Sequence, residues 1–215
     1  MTRPLLVFDL DGTLIDGYDA IVDALSYAMS TLSVPPLPAD AVRGMVGHGL
    51  EKLLERAVGA GRALEGVRLF RERYPLVAVE KSRLLPSVAD AIALLAERGH
   101  RMAVASNKPP RFSRMILEAV GVAPRLSAVA GPDEGVPPKP DPAMLRRILR
   151  ELDATPSETV VIGDMEIDSE FARAAGCRVV LIPGGSRTRA ELAGVDADAF
   201  LDSIADLPPW LERSG

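Results

Sequence analysis

"LLVFDLDGTLID", residues 5–16, decides how this chain is read. Four apolar residues, Leu5 to Phe8, run into Asp9 and Asp11, and Gly12 and Thr13 follow at once. Two carboxylates this close repel each other, and burial makes each charge more expensive. Such a pair needs a compensating cation, or a reaction that uses its perturbed protonation. In a regular strand residues 9 and 11 would share a face. Gly12 lets the chain turn sharply there, so that two side chains and a backbone carbonyl can surround one point.

Outward from this stretch, four more short apolar runs end at polar residues or glycine. They are residues 101–107, 126–131, 159–164 and 178–185, each the length of a buried strand. Helical patterns lie between them. Val88, Ile92 and Leu95 share a face over 87–98, with Ser87 and Asp90 as a capping box and Gly99 as the stop. Asp141 caps a helix over 142–152 that has Pro142 at its first position. Ile167, Phe171 and Ala174 share a face over 166–175. Alternating strands and helices predict an α/β fold, a Rossmann-like parallel sheet covered by helices. One segment breaks the alternation. From about Asp16 to Arg83 the pattern is helical throughout, with faces such as Ile21, Leu25, Ala28 and Leu32, and no strand is predicted. The expected organisation is therefore a core of residues 1–15 and 84–215 with an all-helical insert, 16–83, directly after the first strand.

Composition narrows the partners. The 215 residues carry a net charge of −5, with no basic stripe, which argues against nucleic acid. No stretch approaches the roughly 20 apolar residues of a membrane helix, and the N-terminus does not read as a signal peptide. Cys177 is the single cysteine, so no intrachain disulfide forms. A cytoplasmic monomer or homodimer is the expectation.

In an open parallel sheet, ligands bind at the carboxyl ends of the strands. Those ends supply Asp9 and Asp11 from the first strand, Ser106, Asn107 and Lys108 from the second, and Asp164 with Asp168 from the fourth; the Pro-rich loop 135–142 adds Lys139. Carboxylates gathered without His or Cys form a hard oxygen site suited to Mg²⁺. Phosphoryl transfer fits the set. One Asp can attack phosphorus while the second moves the proton, and Ser106 and Lys139 can hold phosphoryl oxygens. In the insert, "GMVGHGLEKLL" (44–54) surrounds His48 with glycines before a helix. His48 is a substrate contact or an exposed turn residue, and Arg43 an anion clamp or a solvated helix residue.

With these stretches in hand, the chain resembles the haloacid dehalogenase superfamily of phosphatases. "DLDGT" (9–13), "SNK" (106–108), Lys139 and "GDMEID" (163–168) look like its four motifs. "SNKPPRFSRMIL", "PPKPDPAML" and "ARAAGC" make it most like phosphoglycolate phosphatases and their close relatives. The resemblance implies that 16–83 is a small helical cap, that Asp9 is the nucleophile and Asp11 the acid/base, and that Ser106 and Lys139 bind phosphate. It also implies Mg²⁺ held by Asp9, the backbone carbonyl of Asp11 and Asp164, with Asp168 in support. Asn107, His48 and Arg43 complete the candidate substrate-binding residues. Met165 departs from the Ser or Thr often found after the third acid, so one hydrogen bond there is missing or comes from elsewhere.

The expected activity is Mg²⁺-dependent hydrolysis of a small phosphorylated metabolite such as 2-phosphoglycolate. The alternatives are a phosphosugar mutase of the β-phosphoglucomutase kind and a pyrophosphate or nucleotide phosphatase. A non-enzymatic phosphometabolite sensor would predict a damaged nucleophile or acid, and both are present.

Overall fold

A computed structural model describes residues 3–132 and 135–213. In chain order the elements are β1 (Leu5–Phe8), β2 (Ile15–Asp16), α1 (Tyr18–Thr31), α2 (Ala39–Met45), α3 (Leu50–Val58) and α4 (Ala63–Val77). There follow β3 (Arg83–Leu84), α5 (Val88–Glu97), β4 (Met102–Ala105), α6 (Pro110–Ala119), β5 (Ala128–Ala130) and α7 (Ala143–Glu151). The chain closes with β6 (Thr159–Gly163), α8 (Glu166–Ala174), β7 (Arg178–Leu181), β8 (Ala199–Phe200) and α9 (Leu207–Arg213).

Six strands form one parallel sheet in the order β5-β4-β1-β6-β7-β8. The five apolar runs are its first five strands in sequence. Side chains alternate between two packed faces, as strand geometry requires. Leu6, Phe8, Val104 and Ile162 enter one apolar cluster; Leu5, Val7, Ala105 and Val161 enter the other. Helices cover both faces, so the strands are apolar throughout and their ends are the only places left for polar chemistry. From β1 the chain moves outward through β4 and β5, then returns to β6 on the other side of β1. The reversal opens a crevice at the carboxyl ends of β1 and β6.

Several local expectations change. Residues 16–83 are not strand-free at their edges: β2 and β3 pair antiparallel, Ile15 with Leu84 and Asp16 with Arg83, and tie together the two chain crossings into the helical segment. A two-residue strand is too short to show alternation, and β8 escaped the sequence reading for the same reason. Ser87 makes no capping bond, because its backbone is left-handed, φ 63°, after Pro86. Ala174 is exposed, and Ala172 takes its place beside Phe171 in the core. α7 begins one residue later than expected, with Pro142 at its N-cap, and Asp141 Oδ1 still accepts from the Ala143 amide at 2.8 Å. No helix among the described residues is long and apolar enough to cross a membrane.

The central strand carries the architecture. Phe8→Ala should cost about 3–5 kcal/mol of unfolding free energy in urea titrations, because Phe8 is fully buried. Leu64→Ala, at a position 87% exposed, should stay within about 0.5 kcal/mol.

Candidate active site

β1 stops at Phe8, and the Asp9 amide extends its ladder by one bond to the Ile162 carbonyl at 2.8 Å. The chain then turns. The Gly12 amide donates to the Ile15 carbonyl at 2.8 Å, with Gly12 at φ 83°. A Cβ on Gly12 would lie 2.4 Å from Asp164 Oδ2, so glycine is required both for the turn and for the approach of the acid. The turn sends the two carboxylates to different partners. Asp9 Oδ1 accepts from Lys139 Nζ at 2.9 Å, and Asp11 Oδ2 pairs with Lys108 Nζ at 3.0 Å.

Asp164 and Asp168 come from the end of β6 and the first turn of α8. Asp168 Oδ2 accepts from the amides of Asp164 and Met165, each at 3.2 Å, and Oδ1 accepts from Lys139 Nζ at 2.7 Å. Acid at a helix N-terminus is favoured by the free amides there. Gly163 makes room, since a Cβ on it would fall 2.2 Å from the Asp168 carboxyl carbon. Asp164 accepts from Thr13 Oγ1 at 3.3 Å and from the Ser186 amide at 2.5 Å.

Carboxylate oxygens of Asp9, Asp164 and Asp168 lie within 4.8 Å of one another. Burial, then the charges of Asp168 and Asp9, push Asp164 up to about 8. Burial also raises Asp168, against the pull of Lys139, and raises Asp11, against the pull of Lys108. With all four ionised, the carboxylates facing two ammonium groups leave two negative charges, the deficit that one divalent cation would meet. All-oxygen donors, with no His or Cys among them, fit Mg²⁺.

The remaining candidates divide. Ser106 is buried at the end of β4, and its Oγ accepts from the Lys108 amide at 3.2 Å. Asn107 borders the cavity, but its amide is committed: Nδ2 donates to the carbonyls of Gly47 (2.9 Å) and Lys139 (3.2 Å), and Oδ1 accepts from the Lys139 amide at 2.7 Å. It ties the Lys139 loop to the helical segment. Arg43 and His48 do not line the cavity. Arg43 stacks 4.0 Å over the Tyr18 ring and donates to the Gly185 carbonyl at 3.4 Å. Met165 is buried, its sulfur 2.5 Å from where a Cβ on Gly47 would lie, so it packs on the helical segment while Thr13 and Ser186 serve Asp164.

Sequence reasoning gave no role to Lys108, Tyr74 or Ser186. Lys108 Nζ reaches the Tyr74 hydroxyl of α4 at 2.6 Å. Phe70 stacks on the Tyr74 ring at 5.1 Å and Phe112 meets it edge-on at 4.9 Å. Lys108 was visible as a polar residue at a strand end, whereas nothing local marks Tyr74 or Ser186. Together these residues enclose a cavity of about 70 Å³ above the acids, walled on the helical side by Ile21, Val46, Leu50, Leu53 and Phe70.

A parallel sheet with its acids, buried lysine and strand-end hydroxyl in this order defines a class. A family model for haloacid dehalogenase-like hydrolases matches residues 4–203, and the chain belongs to that family. It is similar to phosphoglycolate phosphatases from Rhodospirillum rubrum (35% identical, covering 96% of this chain and 90% of that protein) and Cupriavidus necator (32%, 96% and 92%). Among solved structures it is similar to a predicted phosphoglycolate phosphatase from Haemophilus somnus, at TM-score 0.87 and 27% identity over 98% of this chain and 99% of that one. It is also similar to CbbY from Rhodobacter sphaeroides in complex with phosphate, at TM-score 0.81 and 26% identity over 96% of each chain. The enzyme class these likenesses carry is a phosphatase, a phosphoric monoester hydrolase.

The charge deficit has a measurable consequence. A carboxylate raised on folding makes the folded state bind the proton more tightly, so stability falls as pH rises through the folded value. Without divalent ions, the Asp164 contribution should lower the melting temperature progressively from about pH 4 to about pH 8. Millimolar Mg²⁺ should restore it at pH 8 and change little at pH 4, as differential scanning fluorimetry would read.

Proposed function

We propose that the chain is a Mg²⁺-dependent phosphatase that hydrolyses a small phosphomonoester of the 2-phosphoglycolate kind through an aspartyl-phosphate on Asp9. The observation that carries this reading is the position of Asp9. It is the least buried of the clustered acids, and Lys139 holds one of its oxygens while Oδ2 has no partner among the described residues. A carboxylate oriented through one oxygen and open at the other suits in-line attack on phosphorus.

In the first transfer, Asp9 Oδ2 bonds to phosphorus and the ester P–O bond breaks. Asp11 gives the leaving oxygen its proton. Its Oδ1 is buried without a hydrogen-bond partner, and its raised proton affinity favours the acid form. In the second, Asp11 takes a proton from water, the water oxygen bonds to phosphorus, and Asp9 is released with inorganic phosphate. The Ser106 hydroxyl and the third Lys139 N–H stabilise the phosphoryl oxygens as charge shifts onto them. Asp9, Asp164 and the backbone carbonyl of Asp11 would hold Mg²⁺, with Asp168 in support, and the ion supplies the positive charge that lets one anion approach another. The helical segment 16–83 acts as a cap over the core of 1–15 and 84–215, and its apolar wall keeps bulk water from the first transfer. The names of the similar proteins make 2-phosphoglycolate the first compound to assay.

Asp9→Asn keeps the shape of the side chain and removes the nucleophile. Its phosphate release should fall by about 10⁴-fold or more while the melting curve shows a folded protein. Near-native turnover would refute the assignment. EDTA should stop the wild type, and added Mg²⁺ should restart it.

A further inference from the structure

Two lysines face the cavity, and the mechanism above uses only one. Lys139 belongs to the acid cluster at the sheet end, with Asp9 and Asp168 as its partners. Lys108 stands on the side of the helical segment. It is 9% exposed and lines the cavity; it spends one N–H on Asp11 and one on the Tyr74 hydroxyl. An ammonium group has three donors. The third has no partner among the described residues, and the ammonium lines the cavity, so that N–H is available to a bound molecule.

The rest of that side is apolar. Ile21, Val46, Leu50, Leu53 and Phe70 offer nothing to a charged group, and neither Arg43 nor His48 reaches the cavity. A substrate held at phosphorus by Lys139 therefore has one cation left for its other end. We propose that Lys108 is the specificity-determining residue, its free N–H binding a carboxylate on the short organic group of the substrate. Tyr74, clamped between Phe70 and Phe112, positions the ammonium, so the helical segment takes part in selection through a core residue. The proposal rests on the phosphatase reading and adds the chemistry of the leaving group.

2-Phosphoglycolate and ethyl phosphate form a matched pair that differs by carboxylate against methyl. The wild type should prefer 2-phosphoglycolate in kcat/KM by about 100-fold or more, the scale of removing one partner of a buried charge pair. Lys108→Met should reduce that preference below about tenfold, mostly through KM for 2-phosphoglycolate. Lys108→Gln, which can still hydrogen-bond Asp11 and Tyr74, gives the same comparison if the Met variant does not fold. Damage to Asp11 would slow both substrates alike and cancel in the ratio. An unchanged ratio in the folded variant, or no preference in the wild type, overturns the proposal and leaves the phosphatase standing. Failure of the Mg²⁺-loaded wild type to release phosphate from either ester or from p-nitrophenyl phosphate overturns the phosphatase reading, and the proposal with it.

Discussion

Charge balance around the carboxyl ends of β1 and β6 governs this molecule. Four carboxylates crowd together there, three of them buried, and like charges at such spacing raise one another's proton affinity. Lys139 offsets two of them at once and Lys108 a third. At about 4 Å and an effective dielectric near 20, one such pair gains on the order of 4 kcal/mol before desolvation is subtracted. Two lysines against four acids leave the cluster short of two positive charges when all four are ionised, and Asp164, with no ammonium of its own, is pushed up to about 8. The acids are tolerable in the folded chain because two lysines and the backbone amides of Asp164, Met165 and Ser186 meet them.

The fold turns this balance into geometry. β1 is central, so its end is reached by loops from both flanking strands, β4 and β6. Each loop brings its own groups: a hydroxyl and an ammonium after β4, two acids after β6. Glycine allows the closest approaches. Gly12 and Gly163 stand where any side chain would collide with Asp164 or Asp168. The loop carrying Lys139 is held to Asn107 through both its amide and its carbonyl, and this fixes the ammonium relative to Asp9.

The helical segment touches the site at few points, and each has a physical character of its own. Asn107 donates to the Gly47 carbonyl, Met165 packs on the Gly47 backbone, and Tyr74 bonds Lys108. Polar recognition of the loop, apolar contact beside it and an oriented hydroxyl thus join the segment to the core. Met165 is informative here. A hydroxyl residue would have served Asp164, but Thr13 and the Ser186 amide already do so, which frees position 165 for packing.

Much of this was legible in one dimension. Buried parallel strands are continuous apolar runs, so five of the six sheet strands and the acids that end them stood out, and their order along the chain placed Asp9, Ser106, Lys139 and Asp164 on one edge. The helices between β2 and β3 were visible because amphipathic faces need only local periodicity. Two-residue strands and the commitment of Asn107 to backbone groups were not, since each depends on a partner distant in sequence, and the left-handed backbone of Ser87 leaves no mark on side-chain periodicity. The same limit hid Tyr74 and Ser186, and made Arg43 and His48 look closer to the cavity than they are. The sequence by itself determined which chemical groups the strand ends present. Only the tertiary structure decided which lysine neutralises which acid, because pairing energies depend on distances between loops that local patterns do not encode.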